Sequence, residues 1–297
     1  MMKNITLGQY YPVDSWVHRL DPRMKILLTI AMIVAVFMVK SLVGYALVLG
    51  FVYLSARMAK IPFRMLVKGV KALRFILILT FLLNLFFNSG MTLLVQWGFI
   101  RISLEGLNQA IHYSLRLIFL VMGTSLMTLT TSPIALSDGI ELLLSPLKKI
   151  GFPSHELAMM MTIALRFIPT LLEEADKIMK AQMARGADFE SGNLIARAKA
   201  MVPLLVPLFV SAFRRAGDLA MAMESRCYHG GENRTRLRVL KITGNDWIAA
   251  GAVAVLIGLI VLEGLVVPDL VTILRPLLPA VEAVQTARLF FAKGLKA

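Results

Sequence analysis

Residues 154 to 186, SHELAMMMTIALRFIPTLLEEADKIMKAQMARG, and residues 193 to 227, NLIARAKAMVPLLVPLFVSAFRRAGDLAMAMESRC, decide the architecture of this chain. In each stretch apolar residues recur at spacings of three and four and charged residues take the other positions, which predicts two long amphipathic helices. Each stretch ends in a triplet centred on an arginine, Ala184-Arg185-Gly186 in the first and Ser225-Arg226-Cys227 in the second. We interpret these two endings as the working parts of the chain.

The composition places the whole chain in a membrane. Its 297 residues are 58% hydrophobic, which is more apolar than a soluble globular domain. The formal net charge is +14, but the basic residues cluster beside apolar runs, as they do on the cytoplasmic side of membrane proteins. Nucleic acid is therefore not an expected partner.

Several other kinds of site lack their sequence signal. Cys227 is the single cysteine, so no internal disulfide can form, and no Cys/His group has the spacing of a zinc site. The first 25 residues hold no apolar segment before a small-residue cleavage site, so we expect no removable signal peptide. No Walker A pattern occurs, so the chain cannot hold a nucleotide by that device.

The apolar runs predict about five membrane spans. The expected spans are residues 24 to 39, 42 to 57, 75 to 95, 107 to 131 and 247 to 267, with an outer turn at Lys40-Ser41 between the first two. The connection before the third span holds six basic residues and no acid: Arg57, Lys60, Arg64, Lys68, Lys71 and Arg74. By the positive-inside rule this connection and the amino terminus are cytoplasmic, which puts the carboxyl terminus outside.

The segment from 132 to 246 carries charges throughout, and we expect it to be cytoplasmic because no run in it is long and apolar enough for a span. A first helix is predicted from 133 to about 149, ahead of the two amphipathic helices. The fold class is thus an all-α integral membrane protein with about five transmembrane helices and long amphipathic cytoplasmic helices. Its divisions are a membrane region at 1–131, the amphipathic region at 132–246, and a last span with a tail at 247–297.

His112 and Arg116 lie one helical turn apart in the fourth span, where facing lipid would be costly. Their position predicts an inward face. Arg116 could snorkel or pair with Glu105, or it could take part directly in binding a partner.

Two interpretations of the amphipathic helices stay open from the residues alone. An arginine before glycine at a helix end is often a simple cap, but here the arrangement occurs twice at the ends of similar helices. Their many methionines suit a surface that repacks against a partner, although methionine also fills ordinary cores.

The sequence resembles the transmembrane T component of energy-coupling factor transporters, vitamin and metal-ion importers related to ABC transporters. The resemblance covers residues 8 to about 267. The motifs that carry it are LDPRMK at 20–25, TTSP at 130–133, LSPLKK at 144–149, ALRFIPT at 164–170 running into the first triplet, and FRRA at 213–216 running into AMESRCY at 222–228.

The resemblance implies a non-catalytic subunit of an importer in a prokaryotic cell membrane. Each arginine triplet would dock into a groove on one of two ABC-type ATPases, which bind ATP and magnesium, so the chain itself needs no cofactor. The membrane spans and amphipathic helices would hold one or more substrate-binding S components and transmit the ATP-driven motion that topples them. The second triplet departs from the usual Ala-Arg-Gly, but Ser225 and Cys227 are also small, so the implied role is expected to survive.

Two other classes of function remain as alternatives. A self-contained channel or secondary carrier predicts ionisable residues clustered at mid-membrane and repeat symmetry between halves, but the sequence offers only His112 and Arg116 and no such repeat. A membrane-embedded enzyme would need a catalytic cluster, and the sequence does not contain one.

Overall fold

The computed structural model describes residues 10 to 87, 93 to 97, 100 to 189, 193 to 230 and 240 to 266, and most of these residues are helical. The elements in chain order are α1 (Pro22–Met38), α2 (Leu42–Met58), α3 (Phe63–Ala72), α4 (Arg74–Phe87), β1 (Leu93–Trp97), β2 (Ile100–Ser103), α5 (Leu104–Thr130), α6 (Pro133–Leu144), a 3-10 helix (Ser145–Ile150), α7 (Ser154–Ala184), α8 (Leu194–Glu224) and α9 (Gly244–Val266). Contacts divide the chain into two units. We call Tyr11–Thr131 with Lys241–Ala297 the bundle unit, and Ser132–Leu240 with Met1–Tyr10 the amphipathic unit.

The core of the bundle unit is built from apolar side chains of α1, α2, α3, α5 and α9. Val36, Val48, Val52 and Leu66 are fully buried, and Ile260 is almost so. The expected break between the first two apolar runs is confirmed, because α1 ends at Met38 and the Ser41 hydroxyl accepts a hydrogen bond from the Val43 amide to begin α2. This side-chain bond satisfies one of the unpaired amides of the first turn.

A buried polar cluster ties three helix ends of the bundle unit together. Asp246 at the start of α9 is fully buried and accepts hydrogen bonds from the Asp21 amide at 2.8 Å and the Thr243 amide at 2.7 Å. The Lys25 ammonium donates to the Thr130 carbonyl at the end of α5, over 2.9 Å. The start of α1 is thereby fixed to the end of α5 and the start of α9, which satisfies polar groups that would be costly to bury alone.

His112 and Arg116 of α5 face α1 and α2, as expected of an inward face. The Tyr45 hydroxyl of α2 donates to the His112 carbonyl over 3.0 Å. The Arg116 guanidinium lies 5.0 Å from the centroid of the Phe37 ring and donates to the Phe37 carbonyl at 3.4 Å. Since Phe37 belongs to the last turn of α1, Arg116 serves a carbonyl that has no partner within its own helix.

The third predicted span, 75 to 95, begins within one residue of the observed helix but is wrong at its end. Its helix, α4, runs from Arg74 to Phe87, and residues 93 to 97 form β1, which pairs antiparallel with β2. At its start α4 joins α3 at a bend of 62°. The predicted span ran across Asn-Ser-Gly at 88–90, a sequence typical of turns, and those three residues lie outside the described part.

Four helices in the described part are long and apolar enough to cross a membrane, and the number rises to five if the bent pair α3 and α4 counts as one span. The four are α5, α9, α7 and residues Lys199–Glu224 of α8. Our expectation that no run between 132 and 246 reaches this level was wrong, because each amphipathic helix contains an 18-residue window with at most two charges. Their mean hydropathy of 1.2 and 1.3 is still about half the value of 2.4 in α9.

The amphipathic unit contains the two long helices at nearly the expected bounds. Helix α7 covers Ser154–Ala184 and α8 covers Leu194–Glu224, each continuing through its internal prolines. The helix expected from 133 to 149 is shorter, since α6 ends at Leu144 and a 3-10 helix with Pro146 near its start follows it. Glu141 of α6 lies 3.0 Å from the Nδ1 atom of His155 in α7, which links these two elements.

Candidate functional site: two matching arginine helix ends

The first arginine triplet forms a Schellman C-cap at the end of α7. The Ala187 amide donates to the Gln182 carbonyl over 3.0 Å, and the Gly186 amide donates to the Met183 carbonyl over 2.9 Å. Gly186 has φ of 89°, the left-handed conformation that this motif requires after the cap residue. Arg185 is the C-cap residue itself.

The second triplet forms the same motif at the end of α8. The Tyr228 amide donates to the Met223 carbonyl over 3.1 Å, and the Cys227 amide donates to the Glu224 carbonyl over 2.8 Å. Cys227 has φ of 55° and takes the place that Gly186 has in the first end. Arg226 therefore occupies the same position in the motif as Arg185, although the second triplet lacks a glycine.

Main-chain groups make the capping bonds in both ends, and the arginine side chains are not needed for them. All six residues of the two triplets are exposed. Neither Arg185 nor Arg226 forms an ion pair with any residue in the described ranges. The helix dipole favours a cation at each of these ends, and both arginines are accessible to a partner.

An ion pair joins the C-terminal thirds of α7 and α8. The Arg215 guanidinium donates to a Glu174 carboxylate oxygen at 2.6 Å, and the Ser211 hydroxyl donates to the other oxygen. Arg185 follows Glu174 by 11 residues and Arg226 follows Arg215 by 11 residues. At a rise of about 1.5 Å per residue, each arginine lies about 16 Å along its helix from the shared contact.

This arrangement can bind a partner through charge. An arginine fork donates up to five N–H bonds and suits carboxylates or helix-end carbonyls in a groove. In the described part of the chain, no three His, Cys, Asp or Glu side chains come together as a metal site would require.

The structure also shows features that sequence reasoning missed. The Glu174–Arg215 ion pair was not predicted, although its equal spacing from the two triplets is visible in the sequence once the pair is known. The left-handed conformation of Cys227 was not predicted either, because a non-glycine residue gives no local signal for it.

Comparison with known proteins shows the family of this chain. A family model described as "CbiQ: Cobalt transport protein" matches residues 14–237, which contain both triplets. The chain belongs to this family. It is 55% identical over 264 residues to a protein of Clostridium kluyveri named "Energy-coupling factor transporter transmembrane protein EcfT", covering 89% of this chain and 98% of that one.

Other proteins of the same name show similar agreement. The protein from Thermosediminibacter oceani is 57% identical over 257 residues, covering 86% of this chain and 97% of its own length. The one from Bacillus subtilis is 49% identical over 265 residues, covering 89% and 98%. The resemblance inferred from the motifs is thus confirmed, and the chain is a multi-pass membrane member of the energy-coupling factor T-component family.

Proposed function

We propose that this chain couples ATP hydrolysis to uptake in an energy-coupling factor importer of vitamins or similar micronutrients. It transmits the motion of two ABC-type ATPases to a membrane S component that binds the substrate. The observation that carries this proposal is the pair of helix ends with the same capping geometry, each presenting an exposed arginine about 16 Å from the Glu174–Arg215 contact.

Two equal docking points suit a pair of homologous ATPases. Each arginine would enter a groove on one ATPase, where charge-assisted bonds to carboxylates or carbonyls contribute roughly 1.5 to 3 kcal/mol each. Ala184, Gly186, Ser225 and Cys227 flank the arginines with small side chains, which lets a groove close around each guanidinium. Because the ion pair joins α7 to α8, a displacement of one helix is transmitted to the other.

The S component would cover the apolar faces of the two long helices. Phe209, Phe213 and Met221 of α8 are 61%, 74% and 67% exposed. Met160 and Met161 of α7 are exposed as well, and flexible methionine side chains can repack against a partner as it moves. We place this assembly in the cell membrane of a prokaryote.

The chain needs no cofactor of its own in this proposal. ATP and magnesium are bound by the partner ATPases, since the sequence lacks a Walker A motif. The subunit is accordingly not an enzyme and acts mechanically.

Transport by the reconstituted complex tests the proposal. The double variant Arg185→Glu, Arg226→Glu should lose ATP-dependent uptake, because each reversed charge meets a groove built for a cation. The matched control is Lys177→Glu, Arg214→Glu, which makes the same charge change at exposed positions within the same two helices. Unchanged uptake in the first variant, or equal loss in the control, would contradict the assignment of the arginine ends.

A further inference from the structure

The connection between α2 and α4 presents an unneutralised cationic surface. Arg57, Lys60, Arg64, Lys68, Lys71 and Arg74 are all exposed, and no acidic residue occurs between the first and last of them. We call these six residues the basic collar. So many exposed cations close together in sequence form a surface that attracts anions, and of the six only Lys60 lies near enough to a carboxylate, that of Asp14, to lower its pKa.

Other cations near the same end of the bundle unit are neutralised within the protein. Arg19 lies 2.6 Å from Asp14, and Arg23 lies 2.8 Å from the carboxylate of Asp21. No residue of the basic collar has an ion-pair partner among the residues that the structure describes. The collar is therefore distinct from an ordinary surface of interspersed charges.

Helix α3 orders three collar residues along one face. Arg64, Lys68 and Lys71 are spaced by four and three residues, so they line up over about 10 Å of helix. Leu66 is fully buried, and a Cβ on Gly69 would come within 2.9 Å of the Ser125 hydroxyl oxygen of α5. One face of α3 is thus packed tightly on the bundle while the opposite face carries the cations.

The surroundings of the collar match the boundary of a lipid leaflet. Met58, next to Arg57, is 43% exposed, and Phe75, next to Arg74, is 74% exposed. The bend of 62° between α3 and α4 turns α3 away from the direction of the apolar helix that follows it. The cations of the collar therefore adjoin exposed apolar side chains of α2 and α4, and this combination is typical of a protein surface at the headgroup level of a membrane.

We propose that the basic collar binds the headgroups of anionic phospholipids in the cytoplasmic leaflet. The lipid phosphates provide the missing counter-charge, and Met58 and Phe75 contact the first segments of the acyl chains. A soluble acidic protein would match the cations but would leave the adjoining apolar side chains against water, so the membrane is the better fit. This inference does not depend on the proposed coupling role of Arg185 and Arg226.

Spin-labelled lipids test the assignment on the full chain in phosphatidylcholine vesicles. The measured quantity is the association constant of spin-labelled phosphatidylglycerol divided by that of spin-labelled phosphatidylcholine. We expect wild type to prefer phosphatidylglycerol. In the variant Arg64→Gln, Lys68→Gln, Lys71→Gln the ratio should fall by a factor of about five or more, since a single surface cation changes binding to an anionic lipid by about that factor. Raised salt should lower the wild-type ratio in the same direction.

Two further variants separate a lipid surface from a general charge effect. Lys148→Gln, Lys149→Gln, Lys177→Gln removes the same charge from exposed positions of the amphipathic unit and should leave the ratio unchanged. Arg64→Lys, Lys68→Arg, Lys71→Arg keeps the charges and should retain the wild-type ratio. The proposal is overturned if the collar variant keeps its lipid preference, whether the collar proves merely solvated or proves to bind a protein partner.

Discussion

Gly186 and Cys227 occupy equivalent left-handed positions at the two helix ends, with φ of 89° and 55°. Such a conformation costs a residue with a Cβ roughly 1 to 2 kcal/mol relative to glycine. We expect Cys227→Gly to stabilise the end of α8 by about 1 kcal/mol and Gly186→Ala to destabilise the end of α7 by a similar amount. Amide hydrogen exchange at the last turns of α7 and α8 measures both effects.

A glycine elsewhere in α8 provides the control for this pair. Gly217 lies within the helix without a positive φ, and a Cβ there would meet no atom within 4 Å. Gly217→Ala should therefore stabilise the helix by about 0.5 to 1 kcal/mol. If Gly186→Ala gave the same gain, the left-handed cap would not control that helix end.

His18 gives the bundle unit a dependence on pH. Its Nε2 atom donates to the Tyr11 carbonyl over 3.0 Å and its Nδ1 atom accepts from the Ser15 hydroxyl over 2.7 Å, which is the bonding of a neutral ring. Burial lowers the pKa of His18 below its usual value of 6.5. The pKa of His18 is therefore lower in the folded state than in the unfolded state. The stabilisation that the neutral His18 ring gives to the fold is present above pH about 6.5 and is lost as the pH falls below it.

Thermal unfolding in detergent at pH 7.5 and 5.5 tests this dependence. The wild type should lose more stability on acidification than His18→Gln, in which the side-chain amide can still donate to the Tyr11 carbonyl but does not titrate. An equal loss in both proteins would show that another group carries the pH dependence.

At the scale of helices, the Glu174–Arg215 ion pair should set how firmly α7 and α8 hold together. The two side chains are 23% and 38% exposed, so solvent screening keeps the pair weak. We expect Glu174→Gln to lower the thermal stability slightly. Uptake should fall more, because the ion pair joins α7 to α8 and so transmits motion between them. The exchange Glu174→Arg, Arg215→Glu should recover part of both.

A double-mutant cycle over Glu174 and Arg215 measures this coupling. A matched control is Asp176→Asn, which breaks an exposed intrahelical pair with Lys180 and leaves the contact between the helices intact. If the control reduced uptake as much as Glu174→Gln, the contact between the helices would have no special part in transmission.

The amphipathic helices show how much of the structure the sequence can predict. Three- and four-residue periodicity predicts α7 at its observed bounds and α8 within one residue, because long periodic segments carry the strongest local signal. The same reasoning failed at residues 75 to 95, where composition suggested one continuous span. There residues 93 to 97 form β1, which pairs with the adjacent strand β2, and apolar composition alone does not distinguish a short strand from the continuation of a helix.

The candidate site, too, could be predicted from the sequence only in part. The two triplets and their small flanking residues are visible as motifs, so Arg185 and Arg226 are identified from the sequence alone. Their common Schellman geometry depends on the backbone conformation of Cys227, for which a cysteine gives no signal. The Glu174–Arg215 contact depends on how two helices pack, and a single periodic pattern does not fix that.

In the whole molecule, Arg185 and Arg226 lie at equal distances along their helices from the Glu174–Arg215 contact. If each arginine engages its own ATPase, the chain connects the two ATPases. A change in the separation of the ATPases would then move α7 and α8. Nothing in this scheme requires the arginine side chains for folding, because the main chain completes both caps. Loss of partners should therefore be separable from loss of structure.

Affinity purification from native membranes tests whether Arg185 and Arg226 hold the two ATPases. Tagged wild type, the variant Arg185→Glu, Arg226→Glu and the control Lys177→Glu, Arg214→Glu are isolated under the same conditions, and the accompanying proteins are identified. We predict that wild type and control bring two ATPases and small membrane proteins, and that the ATPases alone are missing from the arginine variant. If the arginine variant keeps both ATPases, or if wild type purifies alone, the two arginine ends are simple helix caps and the account is wrong.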